Sequence, residues 1–185
     1  YAIHHAPAGM LYVLPTVDSA KRVSKQRVAP AIDAIPEVAD KVATPRARDT
    51  GNTLFQKDFP GGTLILTSAN SAVGLRSMPA RYLFLDEVDA YPNDLDGEGS
   101  PVQLAIRRTA TFKRNRKIFM CSTPTIKGLS TIEDYFEQSD QRRYFVPCPD
   151  CGEEQTIQWK NIHWTDEGPT TAHMVCEHCG VVIPE

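Results

Sequence analysis

The chain has 185 residues, 41% of them hydrophobic and 23% charged, with a formal net charge of -3. That length allows one domain with a real core plus a small appendage. The near-balanced charge excludes a uniformly basic nucleic-acid binder, so any such contact must rest on a local patch. No apolar run approaches the roughly 20 residues of a membrane helix. The start, Tyr1-Ala2-Ile3-His4-His5, is neither a signal peptide nor an initiator methionine, so the chain reads as a piece of a longer protein.

Leu11-Tyr12-Val13-Leu14 reads as a buried strand stopped by Pro15. Thr16 or Asp18 is placed to cap a helix running to about Ile35, with Ala20, Val23, Val28, Ala31, Ile32 and Ile35 on its apolar side. Pro30 is expected to kink or split that helix. Residues 53–59 and 63–67 flank Pro60-Gly61-Gly62, the pattern of a hairpin or tight turn. Tyr82-Leu83-Phe84-Leu85 is an unbroken apolar run, as expected of a strand buried on both faces of a parallel sheet, and it leads straight into Asp86-Glu87-Val88-Asp89. Residues 101 to about 112 read as a helix with Pro101 in its first turn. Residues 117–121 read as another buried strand, ending in Ser122-Thr123-Pro124-Thr125, and residues 131 to about 139 as a short acidic helix. Strands alternating with helices predict an α/β fold with a parallel sheet. Beyond about residue 143 the composition changes to a cysteine-bearing segment with short strands around residues 156–159 and 162–164.

The carboxylates at the end of the 82–85 run fall where open α/β sheets bind ligands. Successive side chains leave a strand end in different directions. Asp86 is therefore suited to hold the waters of a magnesium ion, and Glu87 to orient a water toward a γ-phosphate. A divalent cation would also remove the mutual repulsion of the pair. The competing reading is a strand running into an acidic surface loop, since Asp94, Asp96 and Glu98 continue the acidity. The hydroxyl-tipped strand at 117–125 favours the nucleotide site, because additional-strand, RecA-like P-loop ATPases and helicases place such a strand beside the acidic one. The phosphate loop G-x-x-x-x-G-K-[S/T] is missing: Lys127-Gly128-Leu129-Ser130 has the wrong order and Gly61-Gly62 lacks the lysine. Either the chain is not an ATPase or the loop lies upstream of Tyr1. In the second case these residues alone should hydrolyse ATP poorly or not at all.

Several of these segments together resemble the GpA-type large terminase subunit of tailed bacteriophages and prophages. They are Leu14-Pro15-Thr16 ahead of Ala20, a helix and Pro30; residues 62–71; residues 82–92; Ser122-Thr123-Pro124-Thr125; and Tyr144-Phe145-Val146-Pro147-Cys148-Pro149-x-Cys151-Gly152. The similarity covers nearly the whole chain. It implies an ATP-driven DNA-packaging motor with an N-terminal ATPase and a C-terminal nuclease. Residues 1–143 would be a partial P-loop ATPase core without its phosphate loop, and residues 144–185 a zinc ribbon. Asp86 would be the magnesium-side acid, Glu87 the catalytic acid, and Ser122 with Thr123 the coupling motif, acting on ATP with Mg2+. The implied partners are double-stranded DNA, a terminase small subunit, the portal protein of the procapsid and further copies in a homo-oligomeric motor, with no membrane, in the cytoplasm of a bacterial host. The full-length protein would also be an endonuclease, although its nuclease acids are not in this stretch. Large terminases often carry an arginine ahead of the acidic strand that completes a neighbour's site. Arg76, in an expected loop at 74–77, is preferred to Arg81, with a plain salt-bridge residue as the competing reading.

Cys148-Pro-Asp-Cys151-Gly152 and Cys176-Glu-His-Cys179-Gly180 form two knuckles whose four thiolates suit tetrahedral Zn2+ in a closed, structural site. Two disulfides and a rubredoxin-type iron site share the spacing. The odd total of five cysteines and the absence of a secretory signal favour metal in a reducing compartment. Cys121 reads as a buried small hydrophobe. Arg107, Arg108, Lys113, Arg114, Arg116 and Lys117 either grip a DNA backbone or form a solvated face. The ribbon, with Trp159, Lys160 and Trp164, is a second candidate surface for DNA or a partner, unless the tryptophans are its small core. Two other functions stay open: a superfamily 2 helicase-like translocase, which would need a second RecA-like lobe, and a non-enzymatic zinc-ribbon nucleic-acid-binding module.

Overall fold

A computed structural model describes residues 1–42, 51–76 and 78–184. They fall into two compact units, Tyr1–Tyr135 and Phe136–Glu185. No helix among the described residues is long and apolar enough to cross a membrane.

The first unit is organised by strands that are apolar on both faces. In β1 (Met10–Leu14), Leu11 and Val13 enter one buried cluster while Met10 and Leu14 enter another. In β4 (Tyr82–Asp86), Leu83 and Leu85 join the first cluster and Tyr82 the second. Such strands must lie inside a sheet covered on both sides. With β2 (Gln56–Phe59), β3 (Gly62–Ser68) and β5 (Lys117–Cys121), they form a sheet in the order β2-β3-β1-β4-β5. The last four strands in that order are parallel, and β2 is antiparallel to β3 across the Pro60-Gly61 turn, where Gly61 adopts φ 87°. The sheet is thus mainly parallel, and the hairpin read from Pro60-Gly61-Gly62 is present.

One face packs against α1 (Val17–Val23), α2 (Ala29–Ala34) and α3 (Pro36–Ala39), which bring Ala20, Ile32 and Val38 to the second cluster. Thr16, not Asp18, is the cap: its hydroxyl accepts the Ser19 N–H at 3.1 Å and the Ser19 hydroxyl accepts the Thr16 N–H at 3.0 Å. Pro30 splits the helix as expected. A wider π turn at Ser24–Val28 precedes it, with the Ala29 N–H reaching Ser24 O, so the missing proline N–H falls in the first turn of α2. The other face packs against α4 (Ala72–Arg76) and α5 (Pro101–Arg107), through Leu75, Val102, Leu104 and Ala105.

Three expectations for this unit need correction. Residues 74–76 are helical, the end of α4, not loop; a Cβ on Gly74 would meet Thr67 Oγ1 at 2.1 Å, so glycine lets the helix lie close on β3. Ser77 lies outside the described residues. The helix expected to reach 112 stops at Arg107, and Ala110–Phe112 is a separate 3-10 turn. The strand at 117–121 forms but is not buried: β5 is the sheet edge, its one described partner is β4, and Phe119 stays 59% exposed. Its apolar run resembles that of a central strand because a strand's sequence does not reveal whether both neighbours are present.

In the second unit, β6 (Val146–Pro147) pairs with β7 (Glu154–Gln155), and β8 (Ile162–Thr165), β9 (Gly168–Val175) and β10 (Val182–Pro184) form an antiparallel sheet in the order β10-β9-β8. No strand forms at 156–159; Trp159–Asn161 is a 3-10 turn. Trp159 and Trp164 are 77% and 54% exposed, so they are not a core. The buried side chains here are Cys148, Gln155 and Cys176.

Leu83 is fully buried between helices and sheet. Leu83→Ala should destabilise the first unit by about 2–5 kcal/mol, measured as a lowered urea midpoint.

Candidate active-site edge and cysteine centre

Because four strands of the sheet run parallel, their carboxyl ends lie along one edge. Asp86, the last residue of β4, pairs in register with Cys121 at the end of β5. It shares a face with Tyr12 of β1, whose hydroxyl donates to Asp86 Oδ2 at 2.9 Å. The Cys121 thiol lies 3.1 Å from Asp86 Oδ1. Burial first, and then the Asp86 carboxylate, pushes the Tyr12 phenol well above its ordinary range and the Cys121 thiol up to about 11. Both neighbours therefore stay protonated at neutral pH and donate to the Asp86 carboxyl oxygens. A carboxylate has about four acceptor positions, so two donors leave room for a hydrated cation.

Glu87 ends the strand in the left-handed region, φ 55° and ψ 52°. That conformation costs a non-glycine residue on the order of 1 kcal/mol. It is held because Val88, next in line, is buried at 1% exposure, and because the Tyr91 hydroxyl donates to Val13 O at 2.8 Å. Burial at that bond raises the Tyr91 phenol beyond its ordinary range. Glu87 itself is exposed at the edge.

Asp89 is the connection that the D-E-x-D pattern contained without revealing its use. Its Oδ2 accepts the Thr125 N–H at 3.0 Å and the Thr125 hydroxyl at 3.1 Å, and its Oδ1 accepts the Ile132 N–H at 2.8 Å. Its own N–H donates to Ser122 Oγ at 3.2 Å. Ser130, fully buried, accepts the Glu133 N–H at 3.2 Å and so caps α6 (Thr131–Glu137), and its hydroxyl also bonds Asp89. Burial pushes the Asp89 carboxyl up, but the bonds from Ser130, Ile132 and Thr125 outweigh it and the group sits below its ordinary value. One carboxylate thus ties the acidic loop, the hydroxyl loop and the start of α6 together. Ser122 belongs to this network; Thr123 lies exposed at the same strand tip, its carbonyl accepting the Ser122 hydroxyl at 3.3 Å.

The arginines are not part of this cluster. Arg76 is ion-paired with Glu98. Arg81 precedes β4 at the opposite strand end, donating to Asn115 O at 3.1 Å and lying 5.1 Å from the Tyr82 ring. The basic stretch also lies toward that opposite end: Arg108 O accepts the Ala80 N–H, Arg116 bonds Thr109, and Lys117 opens β5. Tyr12, Cys121 and Thr125 are the members that sequence reasoning missed. The apolar alternation of β1 and β5 pointed two of them to the Asp86 face, but only the pairing register placed them beside it.

In the second unit all four cysteines of the two knuckles meet, their Sγ atoms within 4.8 Å of one another. Cys148 and Cys179 are 3.8 Å apart and Cys151 and Cys176 4.0 Å apart, and all are free thiols, which sets aside two disulfides. A tetrahedral ion with metal–sulfur bonds of about 2.3 Å needs an edge of roughly 3.8 Å, so the donor set fits zinc. The knuckles repeat each other: Gly152 N–H bonds Cys148 O and Gly180 N–H bonds Cys176 O, both at 3.0 Å, with φ of 76° and 74° at the two glycines. Backbone N–H groups, that of Cys179 first, draw the Cys176 thiol down, while Cys151 and Cys179, despite backbone N–H bonds of their own, are pushed up by burial and by the thiols bonded to them, so the four share their protons as one set.

Residues 1–185 match the family model described as the phage terminase large subunit gpA, ATPase domain. The chain is 30% identical to the terminase large subunit of Enterobacteria phage P21 and, equally, to that of Escherichia phage lambda, in each case over 99% of this chain. It spans 30% of the length of these curated relatives. A solved Thermus phage P74-26 large terminase ATPase domain is 19% identical with a TM-score of 0.45, over 81% of this chain and 60% of that one.

Asp89→Asn should speed hydrogen exchange at the Thr125 and Ile132 amides by about tenfold, the loss of bonds to a charged acceptor. Because the folded Asp89 carboxyl lies below its ordinary value, wild-type protection is full above the unfolded value of about 4 and is lost as pH falls through the lower folded one.

Proposed function

The chain belongs to the family of phage terminase large subunit gpA ATPase domains, and on that premise we propose that it forms the catalytic edge of a motor that couples ATP hydrolysis to packaging of double-stranded DNA into procapsids. The observation that carries this reading is the Asp89 carboxylate, which bonds Thr125 while its N–H bonds Ser122, joining the acidic strand end to the hydroxyl loop. A motor needs such a link between the group that attacks and the loop that senses the phosphate. Family membership favours this over a helicase-like translocase or a purely DNA-binding ribbon module.

Asp86 holds the magnesium-side position, oriented by the Tyr12 and Cys121 donors. Magnesium bound with ATP supplies neutralisation of the phosphate charge. Glu87, exposed and turned out of the strand by its left-handed backbone, accepts a proton from the water that it orients. Ser122 and Thr123 meet the phosphate end of the nucleotide and pass its loss to α6 through Asp89. The phosphate loop comes from a segment outside these 185 residues that pairs along the open side of β5, where Phe119 is exposed. Arg76 acts in trans on a neighbouring copy once it exchanges Glu98 for phosphate. In the complete subunit an endonuclease region, the terminase small subunit, the portal protein and other copies of the subunit accompany this domain. The basic stretch from Arg107 to Lys117 contacts the DNA backbone. Cys148, Cys151, Cys176 and Cys179 would hold Zn2+, which would serve a structural role there.

In a longer protein that includes a phosphate loop, Glu87→Gln should lower ATP turnover by at least about a hundredfold with the melting temperature unchanged; undiminished turnover would exclude Glu87 as the base. Cys148→Ser should abolish stoichiometric zinc, read by elemental analysis, and erase the dispersed amide signals of residues 146–184 while those of the sheet unit persist.

A further inference from the structure

The second unit carries an apolar surface that its fold does not use. Trp159, on the 3-10 turn, and Trp164, on β8, stand with ring centroids 5.8 Å apart, inclined at 49°. With Ile162, Ala172 and Gly168 they line a cleft of about 510 Å³. Large aromatic side chains left this exposed in a unit with so few buried side chains do not serve its stability, and contiguous apolar patches of this kind mark recognition sites. The cleft is edged by Asp166, with Glu167 exposed beside it. Residues 144–185 carry seven acidic residues against one lysine, Lys160. A phosphate backbone would meet this unit with like charge, so nucleic acid is the disfavoured occupant.

We propose that the Trp159–Trp164 cleft is a docking surface for a peptide segment of a partner protein, one that seats an apolar side chain in the cleft against the contacting indole pair and sets Arg or Lys against Asp166 and Glu167. The charge complementarity of the acidic edge selects the basic flank, and the indole faces add attraction for a guanidinium. The occupant's chemistry is independent of the nucleotide reading, because the cleft lies wholly within the ribbon unit.

Trp159 and Trp164 are the only tryptophans of the chain, so intrinsic fluorescence reports on the cleft alone. A displayed library of random peptides about twelve residues long, selected against the zinc-loaded chain, should enrich sequences that pair an aromatic or branched aliphatic residue with Arg or Lys. A synthetic copy of an enriched peptide should shift the tryptophan emission saturably and bind more weakly as salt rises. Trp164→Ala should weaken its binding, followed calorimetrically, by about tenfold or more, and Asp166→Lys should also weaken it, both with zinc stoichiometry unchanged. Enrichment of acidic peptides, binding indifferent to both substitutions, or a saturable emission change with a thymidine 20-mer but not with the basic peptide would overturn the proposal. Self-association of the chain that shields the tryptophans from acrylamide would overturn it as well, by making a second copy the occupant.

Discussion

A strand that is apolar on both faces can become polar only where it leaves the sheet. In β4, Leu83 and Leu85 are fully buried on one side and Tyr82 is nearly so on the other. A carboxylate inside that run would be stripped of water on both sides. Asp86 is the first position at which a charge is tolerated, and the parallel direction of β1, β3, β4 and β5 delivers Thr16, Ser68, Asp86 and Ser122 to the same edge. The chemistry proposed for this domain depends on that one constraint. The helices on either face matter to the site chiefly because they keep both faces of β1 and β4 covered.

At the edge itself, geometry is set by hydrogen bonds rather than packing. Asp86 is gripped by two donors that burial keeps protonated. Glu87 is held in a strained conformation between a buried strand and a buried Val88. Asp89 then spans the acidic loop, Ser122, Thr125 and the first turn of α6. A displacement of the hydroxyl loop cannot leave this carboxylate unaffected, since the partly buried charge must keep its donors or be rehydrated. The bonds of Asp89 thereby connect the tip of β5 to a helix that touches neither Asp86 nor Glu87 in the bonding pattern.

The cysteine unit solves a different problem. Its short strands leave only Cys148, Gln155 and Cys176 buried among the described side chains, far too little apolar burial to hold a fold by itself. A cluster of four thiols able to hold a metal takes the place of a core, and the tryptophans stand exposed at the surface. The same residues that looked like a possible core are available for recognition.

Much of this was legible in the residues alone. The apolar runs at 11–14 and 82–85 marked central strands, Pro60-Gly61-Gly62 marked the hairpin, Pro30 marked a break, and the spacing of four cysteines marked a cluster that could hold a metal. These are local signals, in which turn chemistry, periodicity and ligand spacing act within a few residues. The edge position of β5, the helical state of Gly74-Leu75-Arg76, the exposure of Trp159 and Trp164 and the pairing of Arg76 with Glu98 were not legible, because each depends on which neighbours are present. Asp89 is the clearest case. Sequence alone determined that an acid stands three residues after Asp86. Only the tertiary structure decided that it binds Thr125 and Ile132, because those partners lie 36 and 43 residues away and are brought to it by the parallel pairing of β4 with β5.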